Sequence, residues 1–165
     1  MKIAIISDIH DNLVNLEKCL KWCRENDIKE MICCGDVTNS ETLQFLATRF
    51  KDTIHLVKGN AETYDESEIK QYDNIRYYGK IGKVKLNRKV IGICHEPYFI
   101  NKMIKQDEYD IIFYGHTHKP WEEEKNGVRL INSGTLSAMF HKATFAVMED
   151  DKIELKILET LKSTN

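Results

Sequence analysis

Lys2-Ile3-Ala4-Ile5-Ile6-Ser7-Asp8-Ile9-His10-Asp11-Asn12 is the stretch that decides the fold. Its first half is an apolar run without alternation, the pattern of a strand covered on both faces in a mostly parallel sheet. The run stops in acidic and imidazole side chains. Leu13, Leu16, Leu20 and Cys23 then recur at helical spacing up to Asn26, with Asp11 or Asn12 placed to cap the start, which predicts an amphipathic helix. Trp22 on this helix reads as packing.

The same alternation repeats outward. Residues 30–34 read as a second buried strand ending in Gly35-Asp36. Ser40, followed by Leu43, Leu46, Ala47 and Phe50, opens a second helix, and residues 53–57 form a third strand ending in Lys58-Gly59-Asn60. This is strand-helix alternation of the βαβ kind. Beyond about residue 75 the texture changes. Residues 83–86 and 89–93 predict a hairpin about Asn87-Arg88, followed by His95-Glu96-Pro97 and a short helix carrying Phe99, Ile100, Met103 and Ile104. Residues 110–114 predict another buried strand, ending in Gly115-His116-Thr117-His118. Residues 122–131 fold about Asn126-Gly127, the dipeptide of a type I′ turn, and residues 145–148 pair with 153–158 about Glu149-Asp150-Asp151. The expected architecture is α/β, with two mixed β-sheets packed face to face and flanked by helices, in a single domain spanning 1–165.

Composition bounds the function. The 165 residues, 42% hydrophobic and 30% charged with only two Pro, describe one globular domain and exclude a disordered or fibrous chain. A net charge of −2 favours neither nucleic acid nor an anionic membrane, so an anionic substrate must be attracted locally. The apolar start is too short for a signal peptide or a membrane span, and a cytoplasmic protein is expected. Five cysteines, Cys19, Cys23, Cys33, Cys34 and Cys94, contain no Cys-x-x-Cys pair and read as reduced, buried thiols. The run Glu122-Glu123-Glu124-Lys125 reads as a solvated strand edge.

The polar residues collect by position. Asp8 and His10, Asp36, Asn60, His95, and His116 with His118 each fall at or just beyond the end of a separate predicted strand. In a largely parallel sheet those ends converge on one edge, where α/β proteins build their sites. Imidazole plus carboxylate oxygen is the donor mix of Zn, Mn, Fe or Ni. Seven side chains are too many for one ion that must keep a position open, and the count indicates two ions sharing a carboxylate, about 3.5–4 Å apart. The pairs Asp8-x-His10 and His116-x-His118 are expected in extended backbone, where residues two apart point the same way. His55 inside a predicted strand reads as structural. His141 reads as exposed, and it is the better outside candidate for a substrate contact; Trp121 would cover the site or mark an interface.

In this ordered set the chain resembles the calcineurin-like metallophosphoesterase superfamily, and within it the small bacterial and archaeal phosphodiesterases. Asp8-Ile9-His10, Gly35-Asp36, Gly59-Asn60-Ala61-Glu62, His95 and Gly115-His116-Thr117-His118 match its motifs in order, and Asn132-Ser133-Gly134-Thr135 is similar to its closing Asn-Pro-Gly-Ser element. The resemblance implies a four-layer αββα sandwich and two divalent transition-metal ions, with Mn favoured and Ni, Fe or Zn compatible. Asp8, His10, Asp36 and His118 would hold the first ion, Asp36 would bridge, and Asn60, His95 and His116 would complete the second. Asp36, Asn60 and His95 are the residues of this set counted as catalytic. Such enzymes hydrolyse phosphoesters through a metal-bound hydroxide, without a protein nucleophile. The implied substrate is a small or nucleotide-like phosphodiester, with no membrane partner, no specific nucleic-acid binding, and homo-oligomers allowed. The superfamily also includes a retromer subunit that works as a protein-binding scaffold, and that is the alternative.

The chain departs from the family pattern in three places. Ala61 stands where many larger relatives carry a proton-donating His, a function worth about 10²–10⁴-fold. Glu96-Pro97 follows His95 where Gly is usual, and Ser133 replaces Pro. Motifs spaced so closely leave little room for lids, so a shallow, permissive site is expected.

Overall fold

The computed structural model describes residues 1–161. In chain order its main elements are β1 (Lys2–Ile6), α1 (Leu13–Glu25), β2 (Glu30–Cys33), α2 (Ser40–Arg49), β3 (Thr53–Leu56), β4 (Ile75–Tyr77), β5 (Ile81–Leu86) and β6 (Lys89–Cys94). There follow α3 (Ile100–Gln106), β7 (Ile111–Tyr114), β8 (Trp121–Lys125), β9 (Val128–Asn132), β10 (Thr144–Glu149) and β11 (Lys152–Ile157). One sheet runs β11-β10-β1-β2-β3-β4 and the other β5-β6-β7-β9-β8. Both are mixed. In the first, β1 to β4 are parallel, with Ile5 opposite Ile32 and Ile32 opposite His55, while β10 runs antiparallel to β1. In the second, β6, β7 and β9 are parallel and the outer strands are antiparallel.

The unalternating run of β1 is explained by burial on both faces. Ala4 and Ile6, with Met31, Cys33, Ile54 and Leu56, pack against Leu16, Leu20, Leu43 and Leu46 of α1 and α2. Ile3 and Ile5, with Ile32 and Cys34, turn the other way and meet Ile91, Ile93, Ile111 and Phe113 of the second sheet. On that sheet's far face Cys94, Ile112 and Leu130 pack on Ile100 and Met103 of α3. The layers are therefore helix, sheet, sheet, helix. Trp22 packs edge-on against Phe145, with ring centroids 5.3 Å apart.

Local signals landed closely. Asn12 caps α1, accepting from the Asn15 amide at 3.0 Å, and Asn39 caps α2, accepting from Thr42 at 2.9 Å. Asp11 does something else: its carboxylate accepts from the Asn39 amide at 3.2 Å and the Thr42 hydroxyl at 2.7 Å, tying the β1–α1 loop to the start of α2. Asn126 and Gly127 both have positive φ, 53° and 78°, as a type I′ turn requires. Asn87 and Arg88 repeat that geometry at 50° and 63°. The final hairpin pairs Glu149 with Lys152 across Asp150-Asp151. Elements that the sequence reading did not place are β4 and the 3-10 turn Glu66–Gln71 before it, which Asp65 and Glu68 close as a capping box. All five cysteines are free and buried. Among the described residues, no helix is long and apolar enough to cross a membrane.

Candidate metal centre

The C-terminal ends of β1, β2, β3, β6 and β7 open onto one edge of the sandwich, and the structure brings all seven residues together there. His10 Nε2 lies 3.2 Å from His118 Nε2, and His118 Nε2 lies 3.2 Å from Asp8 Oδ1. Asp36 Oδ2 faces His10 Nε2 at 3.5 Å and His95 Nε2 at 3.2 Å. Asn60 Oδ1 sits 3.0 Å from His95 Nε2 and 2.8 Å from His116 Nδ1. Two compact carboxylate-imidazole groups result, Asp8/His10/His118 and Asp8/Asp36/His95. They share Asp8. Yet among the described residues Asp36 Oδ2 is the carboxylate oxygen that lies within 4 Å of an imidazole from each group, as a bridging carboxylate would.

These side chains fit a pair of cations. Donors about 2.0–2.2 Å from one ion, at tetrahedral or octahedral angles, stand roughly 2.8–3.6 Å from each other. The separations above fall in that interval. Asp8 and Asp36 are almost fully buried, and among the described residues neither pairs with a Lys or Arg; the ionisable side chains they pair with are histidines. Two buried carboxylates with no permanent cation beside them are costly until positive charge is supplied.

The surroundings fix how each side chain presents itself. His95 Nδ1 lies 2.8 Å from the Cys34 carbonyl, to which it can only donate, so the neutral ring presents its Nε2 lone pair on the side of Asp36 and Asn60. Asp36 Oδ1 accepts the Ala61 amide at 2.8 Å, leaving Oδ2 for the interior of the site. Asp8 Oδ2 accepts from the Ser7 hydroxyl at 2.6 Å and the His116 amide at 3.1 Å. The closing element holds the floor: Asn132 Nδ2 donates to Gly115 O at 2.8 Å, and the Thr135 hydroxyl donates to Asp8 O at 2.8 Å. Ser133, which stands where the family pattern has Pro, is fully buried, and its carbonyl accepts from Thr144 Oγ1 at 2.8 Å.

One expectation is corrected. The Asp-x-His and His-x-His pairs are not in extended backbone: Asp8, His10, His116 and His118 have φ of 54°, 44°, 70° and 59°, and Asp36 joins them at 56°. Left-handed backbone disfavours residues with a Cβ by about 1–2 kcal/mol each. The chain curls at the strand ends to turn side chains inward, and Asp and His are among the types that tolerate it best. His55 is structural, as expected, bridging Glu30 Oε2 at 3.0 Å and the Tyr78 hydroxyl at 2.8 Å. His141 is exposed on the loop after the closing element, and Trp121 is half exposed beneath Lys119.

The residue that sequence reasoning missed is Glu62. Its Oε1 accepts the amides of Gly59 at 3.1 Å and Val37 at 3.3 Å, and its Oε2 accepts Thr38 at 2.7 Å. One carboxylate thus clamps the loop carrying Asp36 to the loop carrying Asn60. Its place in the Gly-Asn-x-Glu string was the available signal. A Glu62→Gln chain can accept at only one end of its amide and turns N–H toward a donor at the other. Metal affinity or turnover should fall about 10–100-fold, measured by metal titration against unchanged far-UV circular dichroism.

Electrostatics set a pH dependence. The Asp8 hydrogen bond, outweighing burial, holds the His10 pKa above its usual range. Burial alone would lower His95, but hydrogen bonding and attraction to Asp36 and Asp8 carry it above the usual range too. Burial likewise pushes Asp36 up, and His95 with the Ala61 amide more than reverses this, leaving it low. Without metal, the two histidines therefore contribute stability that is complete below about pH 6.5 and lost as pH rises through their folded values. The Asp36 contribution is present above about pH 3.9 and lost on acidification below it. Cations must displace the imidazole protons, so the Tm gain on adding Mn²⁺ should grow from about pH 5.5 to about pH 8. Melting curves with and without Mn²⁺ check this; a gain independent of pH would contradict it.

An αββα sandwich with a His/Asp/Asn cluster across its strand ends defines a class of metal-dependent hydrolase folds. Residues 1–152 match the calcineurin-like phosphoesterase superfamily domain, and the chain belongs to that superfamily. Its relatives include Phosphodiesterase MJ0936 of Methanocaldococcus jannaschii, 26% identical over 145 residues that cover 81% of this chain and 83% of that one. A solved archaeal phosphodiesterase superposes with a TM-score of 0.85 at 23% identity, covering 95% of this chain and 99% of that chain. Vacuolar protein sorting-associated protein 29 of Schizosaccharomyces pombe is 26% identical over 164 residues, covering 93% of this chain and 80% of that one.

Proposed function

We propose that the chain is a phosphodiesterase working as one domain on small or nucleotide-like diesters, with two divalent transition-metal ions, Mn²⁺ favoured. Asp8, His10, Asp36 and His118 hold one ion, and Asp36, Asn60, His95 and His116 the other. The observation that carries the reading is Asp36 Oδ2, one buried oxygen facing His10 on one side and His95 on the other. The bound ions would supply positive charge to the phosphoryl oxygens and acidify a water. The protein's own part is positional. Cys34 O orients His95, the Ala61 amide directs Asp36, and Ser7 with the His116 amide holds Asp8. Family membership and the phosphodiesterase relatives support the reading.

Metal-stripped protein should regain cleavage of bis-p-nitrophenyl phosphate on addition of Mn²⁺, faster than cleavage of p-nitrophenyl phosphate. The relation to vacuolar protein sorting-associated protein 29 favours a second reading, a protein-binding scaffold. Folded protein that turns over neither ester with any of Mn²⁺, Ni²⁺, Fe²⁺ or Zn²⁺ would decide for it.

Ala61 has no proton to give a leaving group. Good leaving groups such as p-nitrophenol need none, whereas alkoxides do. Ala61→His should accelerate an alkyl diester about tenfold or more and leave the aryl diester nearly unchanged. Equal effects on both esters, measured as kcat/KM, would contradict a missing general acid.

A further inference from the structure

The loop after the closing element carries an aromatic residue that neither the core nor the metal cluster uses. Phe140 is 87% exposed. Its φ is 65°, and Ala138 two residues earlier has 62°, so the chain holds a bulky side chain in the left-handed region that suits glycine. The loop is nevertheless built: the Ser137 hydroxyl accepts from the Met139 amide at 3.2 Å and shares a 2.7 Å hydrogen bond with Thr135, whose hydroxyl also reaches Asp8 O. Met139 O faces His118 Nδ1 at 3.4 Å, and the Phe140 ring centroid stands 6.0 Å from that of His118. A costly backbone conformation thus anchors a solvent-facing ring beside the cluster.

Phe140 also lines a groove of about 550 Å³ together with Asn15, Lys18, His141 and Lys142. That is the size range of small-ligand sites. Lys18 is exposed, and Lys142 pairs with Glu159 at the far wall. The ring therefore belongs to two places at once, the rim of the metal cluster and the wall of a groove of mixed lining that carries Lys18 and Lys142.

We infer that Phe140 is a specificity-determining residue, the platform on which a planar ring of the diester's non-leaving group stacks while the phosphate sits at the cluster. This rests on the phosphodiesterase reading and names its substrate class: nucleoside-type diesters, with the base on Phe140 and the sugar spanning toward His118. Stacking of a base on an aromatic side chain is sequence-tolerant, because every base has a π-face.

Two substrates with the same leaving group isolate the effect. Thymidine 5′-p-nitrophenyl phosphate carries a base on the non-leaving side, and methyl p-nitrophenyl phosphate carries none. Phe140→Ala should lower kcat/KM about tenfold for the thymidine ester, mostly through KM, and leave the methyl ester unchanged. Phe140→Tyr should restore the wild-type ratio. Equal loss on both esters, or no loss on either, overturns the inference while turnover of the methyl ester upholds the phosphodiesterase reading. Calorimetric binding of thymidine 5′-monophosphate to the Mn²⁺-loaded protein tests it independently of turnover. Binding weakened about tenfold in Phe140→Ala supports it, and absent or unaltered binding overturns it.

Discussion

Asp36→Asn should reduce kcat/KM for bis-p-nitrophenyl phosphate by about 10³-fold or more, equivalent to about 4 kcal/mol, in a protein that still folds. The substitution is chosen because it separates shape from charge. Asn has the size of Asp, and its carbonyl can go on accepting the Ala61 amide that Asp36 Oδ1 accepts at 2.8 Å. Its amino group then occupies the place of Oδ2, pointing donors at His10 and His95 where an anionic oxygen stood 3.5 and 3.2 Å away. An amide nitrogen cannot bridge two cations. With the two-ion centre proposed above, elemental analysis should show bound metal falling from two ions toward one, and the Mn²⁺-induced Tm gain should shrink with it. Activity within tenfold of wild type would remove Asp36 from the centre of the mechanism.

The positions of the site residues were legible because the chemistry is punctuated by strands. Asp8, Asp36, Asn60, His95 and His116 each interrupt or follow an apolar run; parallel pairing aligns the ends of β1, β2 and β3 in one sheet and of β6 and β7 in the other, and the packing of the two sheets sets those ends side by side. β4 was not legible, since Ile75–Tyr77 offers three residues, too few to show a period. Glu62 was seen as part of a motif but not as a clamp. Its partners Val37 and Thr38 lie a full βα unit earlier, and nothing local in the sequence records that approach. The left-handed backbone at Asp8, His10, Asp36, His116 and His118 had a signal that was read for something else. Asp and His tolerate such angles and also bind metals, and one residue type serving both needs hides the first behind the second. The type I′ turns show the contrast: Asn126-Gly127 announces its geometry, whereas Arg88 adopts a positive φ without any compositional cue.

Gly59→Ala should cost about 2–3 kcal/mol of stability, or roughly 4–12 °C in Tm, and remove activity nearly as completely as Asp36→Asn. Gly59 has no unusual φ, so the requirement is space. A Cβ built on it would fall 2.0 Å from Asp36 Oδ1, 2.3 Å from Asp36 N and 2.8 Å from Asp36 Cγ. The carboxylate cannot step aside cheaply, because Oδ1 is held by the Ala61 amide while Oδ2 faces two imidazoles. Nor can the loop retreat, since Glu62 ties the Gly59 amide to Val37 and Thr38. One methyl group must therefore either expel Asp36 from the cluster or part the two loops that Glu62 clamps. Gly127→Ala is the control. Gly127 has φ of 78° and nothing within 4 Å of its added Cβ, so that variant carries backbone strain alone. It should lose about 1 kcal/mol and keep full turnover per folded molecule. If Gly59→Ala behaved like Gly127→Ala, with stability lost and metal-dependent turnover intact, the close approach of the two loops would be a packing detail. Loss of both together makes the absence of a side chain at position 59 the condition for placing Asp36 between the two sets of imidazoles.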